Sequence, residues 1–312
     1  TALKGIAFAK ILEGKKGHFI TQTTEHDAVI ETLNWLKKFG FENTQISVNS
    51  KGLINPQELE NAIRPDTILV SIMYANNETG AVQDIKKISE ICAKKNVLLH
   101  TDACQGPEYL PISVKKLGVQ MMTLNGSKIY GFKGTGLLYF KKGIKFEPLI
   151  HGGHQENSLR SGTENVAGII ALAKALEIAE KEKQVESKRV KELRDLMVKL
   201  IQKEIKNVKI NTPLENSMPN TLNISFEGIE GESILLRLNE DGICASTGSA
   251  CSSRNLEPSH VLIAMGLDHG LAHGSIRFSL GKNTTKQEII FTVKSLKKTI
   301  KFLRSISPVW RK

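Results

Sequence analysis

The chain has 312 residues, 40% hydrophobic and 24% charged, with a formal net charge of +11. This is ordinary for a soluble globular protein with one large core or two modest ones, and no run of 18 apolar residues offers a membrane-spanning helix. Aromatic residues are only 5% and the basic excess gathers at 181–206 and 294–304, so it reads as solvated helix faces, with no direct nucleic-acid partner. The four cysteines, Cys92, Cys104, Cys244 and Cys251, form no CxxC, and the His151-Gly-Gly-His154 pair is too sparse for a zinc site, so no metal is expected. The start, TALKGIAFAK, lacks an apolar signal core and an initiator Met. The expectation is a cytoplasmic protein whose chain is trimmed or incomplete.

In chain order, residues 1–13 read as the tail of a helix and 17–22 as a strand. Thr24-Glu25-His26 leads into a helix with Val29, Leu33 and Leu36 on one side, closed by Gly40. A strand (45–48), a helix (55–63) and a strand (67–73) follow, the last running into a polar loop, Tyr74 to Gly80. A helix over 84–95 carries Cys92 at apolar spacing from Ile88, a core position. Short apolar runs at 97–100 and 119–124 read as buried parallel strands, with another strand at 136–140. This alternation predicts an α/β fold with a doubly wound, mainly parallel sheet.

Ligands of such sheets sit at the carboxyl ends of strands. There the sequence offers Asp102 after one strand and Lys128 after the next. Pyridoxal phosphate uses such a pair, a lysine that attaches the aldehyde and a carboxylate facing the ring nitrogen. The bland alternative, a helix-capping Asp102 and a solvated Lys128, stays open on these two residues alone. Two phosphate-loop look-alikes fail. Gly126-x4-Gly131 is not followed directly by Lys and then Ser or Thr, and Gly131, Gly134 and Gly136 precede a strand rather than a helix.

After about residue 150 the rhythm changes, and two domains are expected, 1–160 and 161–312. Residues 164–207 are helix-forming, with Val190, Leu193, Met197, Leu200, Ile201 and Ile205 on one face. Shorter strands at 208–211, 222–226 and 275–280 precede a helix opened by the capping box Thr285-x-x-Glu288, with Ile289, Val293, Leu296, Ile300 and Leu303 inward. Cys251 lies in a small-residue stretch, 244–255, beside Arg254, where a thiol is exposed and a positive charge is at hand. Nucleophile and incidental surface thiol are equally open there. Cys244 follows what looks like a strand edge and is expected to be the better buried of the two. Arg277, inside SIRFSL, needs an acidic partner, either a substrate carboxylate or a structural one.

Eight segments in order, TEHDAV, ANNETG, TDACQ, GSKIYGFKGTG, RSGT, STGSACSS, LEPSHVL and SIRFSLG, resemble motifs of the NifS/IscS-type cysteine desulfurases. These are fold-type-I pyridoxal phosphate enzymes of the class V aminotransferase group. The resemblance implies that Lys128 carries the cofactor, Asp102 partners its ring nitrogen, Gln105 its ring oxygen, and His26 stacks on the ring. Asn77 and Arg277 match the substrate-carboxylate clamp, Cys251 the thiol that takes sulfur from L-cysteine, and Thr163 a phosphate contact given by the second subunit of a homodimer. Alanine is then the product, and the persulfide serves a sulfur-acceptor protein such as an iron–sulfur scaffold, or tRNA thiolation.

Three departures stand out. The family shows Ser-x-His-Lys where this chain has Asn125-Gly126-Ser127-Lys128, which removes an imidazole from the phosphate contacts. Phe132 replaces a proline, a change without an evident reading. The upstream Gly-Ala-Thr phosphate loop is not in the sequence. These departures keep a second reading open, a cofactor-poor scaffold or sulfur carrier of low activity. Another pyridoxal phosphate lyase, such as one acting on selenocysteine, is also open, whereas an aminotransferase has no need of a loop like STGSACSS.

Overall fold

The computed structural model describes residues 1–248 and 257–310, and the chain divides by packing into two units. The first comprises Thr1–Ser47, Ile54–Ala75 and Gln83–Glu182; the second comprises Val48–Leu53, Asn76–Val82 and the chain from Lys183 onward.

The first unit holds α1 (Ala2–Leu12), β1 (His18–Gln22), α2 (Asp27–Leu36), β2 (Glu42–Ile46), α3 (Pro56–Ala62), β3 (Thr67–Ser71), α4 (Ile85–Lys94), β4 (Leu98–Asp102), α5 (Val114–Leu117), β5 (Met121–Asn125) and β6 (Gly136–Phe140). The helix α6 (Val166–Glu204) begins here and continues into the second unit. The sheet order is β2-β1-β3-β4-β5-β6. All pairs are parallel except β5 with β6, so the doubly wound, mainly parallel sheet read from the sequence is what forms. The chain passes from β2 back over β1 to reach β3, so the winding direction reverses beside β1. Crevices for ligands open at such reversals.

Apolar spacing explains the packing. Ala2, Leu3, Ile6 and Ala7 of α1 and Val29, Leu33 and Leu36 of α2 close over Phe19, Leu69 and Met121 of the sheet. Gly5 is required there, because a Cβ would fall 2.2 Å from the Phe146 ring. Gly40 ends the α2 region in a left-handed conformation, as the sequence indicates. Cys92 is buried, and that burial pushes its thiol up to about 12. The predicted strand at 45–48 lies at 42–46 instead. It is an edge strand with exposed Glu42 and Gln45, and only Ile46 of the apolar pair Ile46/Val48 is part of it.

The second unit has an antiparallel sheet, β7 (Val208–Ile210), β8 (Thr221–Phe226), β10 (Ser275–Ser279) and β9 (Ser246–Thr247) in spatial order. Its helices are α7 (Gly231–Glu240), α8 (His260–Ala264), α9 (His269–His273) and α10 (Lys286–Ile306), of which the first three were not evident in the sequence. Alternation sorts the two faces of the sheet. Leu222, Ile224, Phe226, Ile276 and Phe278 meet Met197, Ile201 and Ile205 of α6 and Ile289, Val293, Leu296, Ile300 and Leu303 of α10. The α10 capping box forms as expected.

The other face of this sheet is polar and still buried: Thr221, Asn223, Ser225 and Ser275. Hydrogen bonds make that burial tolerable. Asn211 Nδ2 donates to Asn223 Oδ1 and to Ser225 Oγ, both at 2.8 Å. The segment 76–82 is laced to the same unit, with Met218 N donating to Gly80 O at 2.7 Å and Val82 N to Asn216 O at 3.0 Å. Gly80 has φ +76°, and a Cβ there would lie 3.0 Å from Thr221 Cβ.

Candidate active site

The carboxyl ends of β1, β3, β4 and β5 are stitched to one another. Met73 N donates to Glu25 Oε1 at 2.6 Å, Tyr74 N to Asp102 O at 2.8 Å and Ala103 N to Thr123 O at 3.0 Å. Of the predicted cofactor residues in the first unit, His26, Asp102, Gln105, Asn125, Ser127 and Lys128 stand on or just beyond this row, and Thr163 does not. His26 caps α2 at the end of β1, its Nδ1 accepting from Ala28 N at 3.1 Å, which leaves the ring proton on Nε2. Asp102 ends β4, half-buried, with Oδ1 accepting from Cys104 N at 2.9 Å. Among the described residues no cation pairs with it. Gln105 is half-buried just beyond.

At the end of β5, Asn125 Oδ1 accepts from both Ser127 N and Ser127 Oγ at 2.9 Å. That double bond starts a 3-10 turn, Gly126–Ile129, which closes at Tyr130 with φ 61°. Lys128 is exposed on the turn and has no acidic partner among the described residues. The turn is braced from behind by α6. A Cβ on Gly126 would fall 2.4 Å from Thr135 Oγ1 and 3.1 Å from Leu172, so glycine is needed at that position.

Electrostatics join these groups. Burial, and then the negative charge of Asp102, push the Cys104 thiol above its ordinary range, while the positive charge of Lys128 pulls it back. Lys128 and Asp102 thus act on the same sulfur from neighbouring strand ends. Glu25 is wholly buried, and desolvation, aided by Asp102, raises its carboxyl well above the usual value against the Met73 N–H. Its neutral form is favoured.

His100, two residues before Asp102 on the same face of β4, is also buried. Its Nδ1 bonds Ser71 Oγ at 2.8 Å, and its Nε2 has no partner among the described residues. Burial lowers its pKa to about 4, against the opposing pull of Asp102. The neutral ring is therefore favoured by folding, so this stabilisation is complete above pH 6.5 and is lost as pH falls toward 4. The melting temperature of the wild type should fall through that window more steeply than that of His100→Gln, followed by calorimetry. Parallel curves for the two proteins would sink the assignment. Neither Glu25 nor His100 was singled out from the sequence. The signal available was polar residues inside otherwise apolar runs.

In the second unit, Arg277 of β10 donates from Nη1 to the main-chain O of Asn77 at 2.9 Å, and its buried Nε has no partner among the described residues. The proposed clamp residues are thus brought together. Thr163 lies exposed in the loop before α6. Cys251 and Arg254 lie outside the described residues. Cys244 overturns an expectation: it is exposed, because it lies in the coil between α7 and β9 and not on a strand edge.

Among the described residues no group of three or more His, Cys, Asp or Glu is placed to hold a metal, and no helix is long and apolar enough to cross a membrane. His151 bonds Glu147, and His154 bonds Ser158.

Comparison with known proteins adds to this geometry. The model of the aminotransferase class-V family matches residues 5–290. Cysteine desulfurase IscS of Dictyoglomus turgidum is 49% identical over 307 residues, 98% of this chain and 77% of that protein. The protein of the same name from Methanosarcina thermophila is 47% identical over 308 residues, 99% of this chain and 76% of that one. Among solved structures, a NifS-like protein superposes with a TM-score of 0.90 at 40% identity, covering 97% of this chain and 79% of its own. SspA, solved in complex with cysteine, superposes with a TM-score of 0.76 at 36% identity, covering 89% and 77%.

Proposed function

Since the chain belongs to the aminotransferase class-V family, among its cysteine desulfurases, we propose that it moves sulfur from L-cysteine to Cys251 and releases L-alanine. The work is done at a pyridoxal 5′-phosphate bound on the strand-end row. The observation that supports this best is the pairing of Asp102 and Lys128, two chargeable groups without ion-pair partners among the described residues, on adjacent strand ends. That donor set fits the cofactor: an amine for the aldehyde, a carboxylate for the ring nitrogen, the His26 imidazole for the ring face and the Gln105 amide for the ring oxygen. When bound, the cofactor supplies an electron sink that makes the substrate Cα–H acidic.

The protein's own groups do the rest. Arg277, steadied on Asn77, takes the substrate carboxylate by charge-assisted hydrogen bonds. Lys128, once its amine is free, removes the Cα proton. The Cys251 thiolate attacks the substrate sulfur, and the bond from that sulfur to the substrate carbon breaks, leaving a persulfide on Cys251 and alanine after reprotonation. Ser127 has its hydroxyl committed to Asn125 Oδ1, which leaves Asn125 Nδ2 as the phosphate donor of this pair and a weaker grip than an imidazole gives.

The working form is a homodimer in which Thr163 reaches the partner's phosphate. In support, the Lys128 loop and the start of α6, packed on each other, expose Tyr130, Phe132, Leu137, Val166, Ile169 and Ile170, a patch that a second copy would cover. Residues 1–160 serve the cofactor, whereas 161–312 bring Arg277 and Cys251. The persulfide passes to an acceptor protein, an iron–sulfur scaffold or a tRNA-thiolation carrier, in the cytoplasm.

The test is product analysis. Cofactor-loaded protein given L-cysteine should yield alanine and one protein-bound sulfur for each alanine in the first turnover. Pyruvate and ammonia in place of alanine would replace this reading with an eliminating lyase.

A further inference from the structure

Glu78 is buried in the second unit, and its surroundings bear on sulfur transfer. Asn76 Oδ1 accepts from Glu78 N at 2.9 Å and from Thr79 N at 2.9 Å, which fixes the backbone. The carboxylate Oε2 accepts from Ser259 Oγ at 2.5 Å. Ser259 is itself buried and caps α8 through Leu262 N. On the other side of the carboxylate stands Gly248, the residue after β9. A Cβ there would lie 2.9 Å from Glu78 Oε2, 3.2 Å from Ser259 Cβ and 3.2 Å from Ser275 Oγ. β9 is paired to β10 through Thr247–Ile276 and Ser246–Arg277. Glu78 therefore touches the last described residue before Cys251 and bonds one shortly after it.

Burying a carboxylate is unfavourable, and a neutral side chain of similar size would fill the same space. What the carboxyl group adds is a short, directional bond from Ser259 at a site where a side chain at 248 would have to displace Glu78 or Ser259. We propose that Glu78 is a positioning residue for sulfur transfer, holding together the two chain ends that flank Cys251. The inference rests on Cys251 being the thiol that receives sulfur.

The experiment compares wild type with Glu78→Ala, Glu78→Gln, Ser259→Ala and Gly248→Ala, each loaded with pyridoxal phosphate. In single turnover with L-cysteine, Glu78→Ala should form persulfide about 10- to 100-fold more slowly, the range expected when a reacting group is misplaced by about an ångström. Glu78→Gln keeps an acceptor for Ser259 and should recover part of the rate. Ser259→Ala and Gly248→Ala should move in the same direction, and they carry the test if Glu78→Ala does not fold. Cofactor binding and the absorbance change on cysteine addition should stay at wild-type levels. Without cofactor, amide hydrogen exchange at Thr247, Gly248 and Leu262 should quicken in Glu78→Ala while β4 and β5 are unchanged.

A wild-type persulfide rate in Glu78→Ala overturns the proposal, and so does an equal loss of cofactor binding, which would show a merely structural role. Continued transfer in Cys251→Ser is a different failure. It would remove the underlying reading and not this one alone.

Discussion

The Lys128→Ala protein is expected to carry no pyridoxyl group after borohydride reduction, whereas Lys133→Ala should be labelled like the wild type. Both lysines are exposed and only five residues apart, so exposure does not separate them. Placement does. Lys128 rides on the 3-10 turn that Asn125 starts at the end of β5, and its charge is felt at Cys104 beside Asp102. Lys133 lies farther along, in the turn before β6. Turnover should fall by about 10²–10⁴-fold from the lost proton transfer alone. Peptide mapping reads the result, and a pyridoxyl group on Lys133 would overturn the site.

Cys251→Ser should stop sulfur transfer while L-cysteine still shifts the cofactor's absorbance. Substrate binding depends on Arg277 and Lys128, and a serine hydroxyl cannot take the sulfur as a persulfide. The exposure of Cys244 makes this a stricter trial, since an accessible thiol lies seven residues away. Mapping of trapped persulfide in the wild type should find it on Cys251 and not on Cys244. Alanine at the wild-type rate from Cys251→Ser, assayed with an added thiol reductant that carries the sulfur off as sulfide, would show that Cys251 is not the nucleophile.

Much of this was legible because β and α segments alternate cleanly in the first half of the chain. A carboxylate and an amine that follow two buried strands are brought to neighbouring strand ends by that pattern, so the placement of Asp102 and Lys128 was legible, while their roles came only from the family resemblance. Long amphipathic helices were equally plain. The five inward residues of α10 are all buried. Strand β2 was misplaced because an edge strand needs little apolar patterning, and Glu42 to Gln45 offer none. Cys244 was misjudged because Gly242-Ile243 resembles a strand edge, while Gly242 in fact turns the chain after α7 with φ 74°. Glu25, His100 and Glu78 were invisible for a different reason. Their meaning lies in partners far along the chain: Met73, Ser71 and Ser259. No local pattern announces a buried polar group whose partner arrives from another element.

The second unit draws its fabric from separate stretches of the chain. Val48–Leu53 and Asn76–Val82 belong to it, yet they are made well before Met218, Thr221 or Arg277, to which the latter segment is bound or apposed. During synthesis these early strips have no surface to join until roughly a hundred or more further residues have emerged, and contacts of such sequence separation form slowly. The contact of Arg277 with Asn77 is therefore made late, when residues from both halves of the chain meet. A fragment beginning at Lys183 would carry Arg277 without the Asn77 carbonyl that steadies it. The clamp needs both segments in one folded chain, and a piece that holds either alone lacks one of its two members.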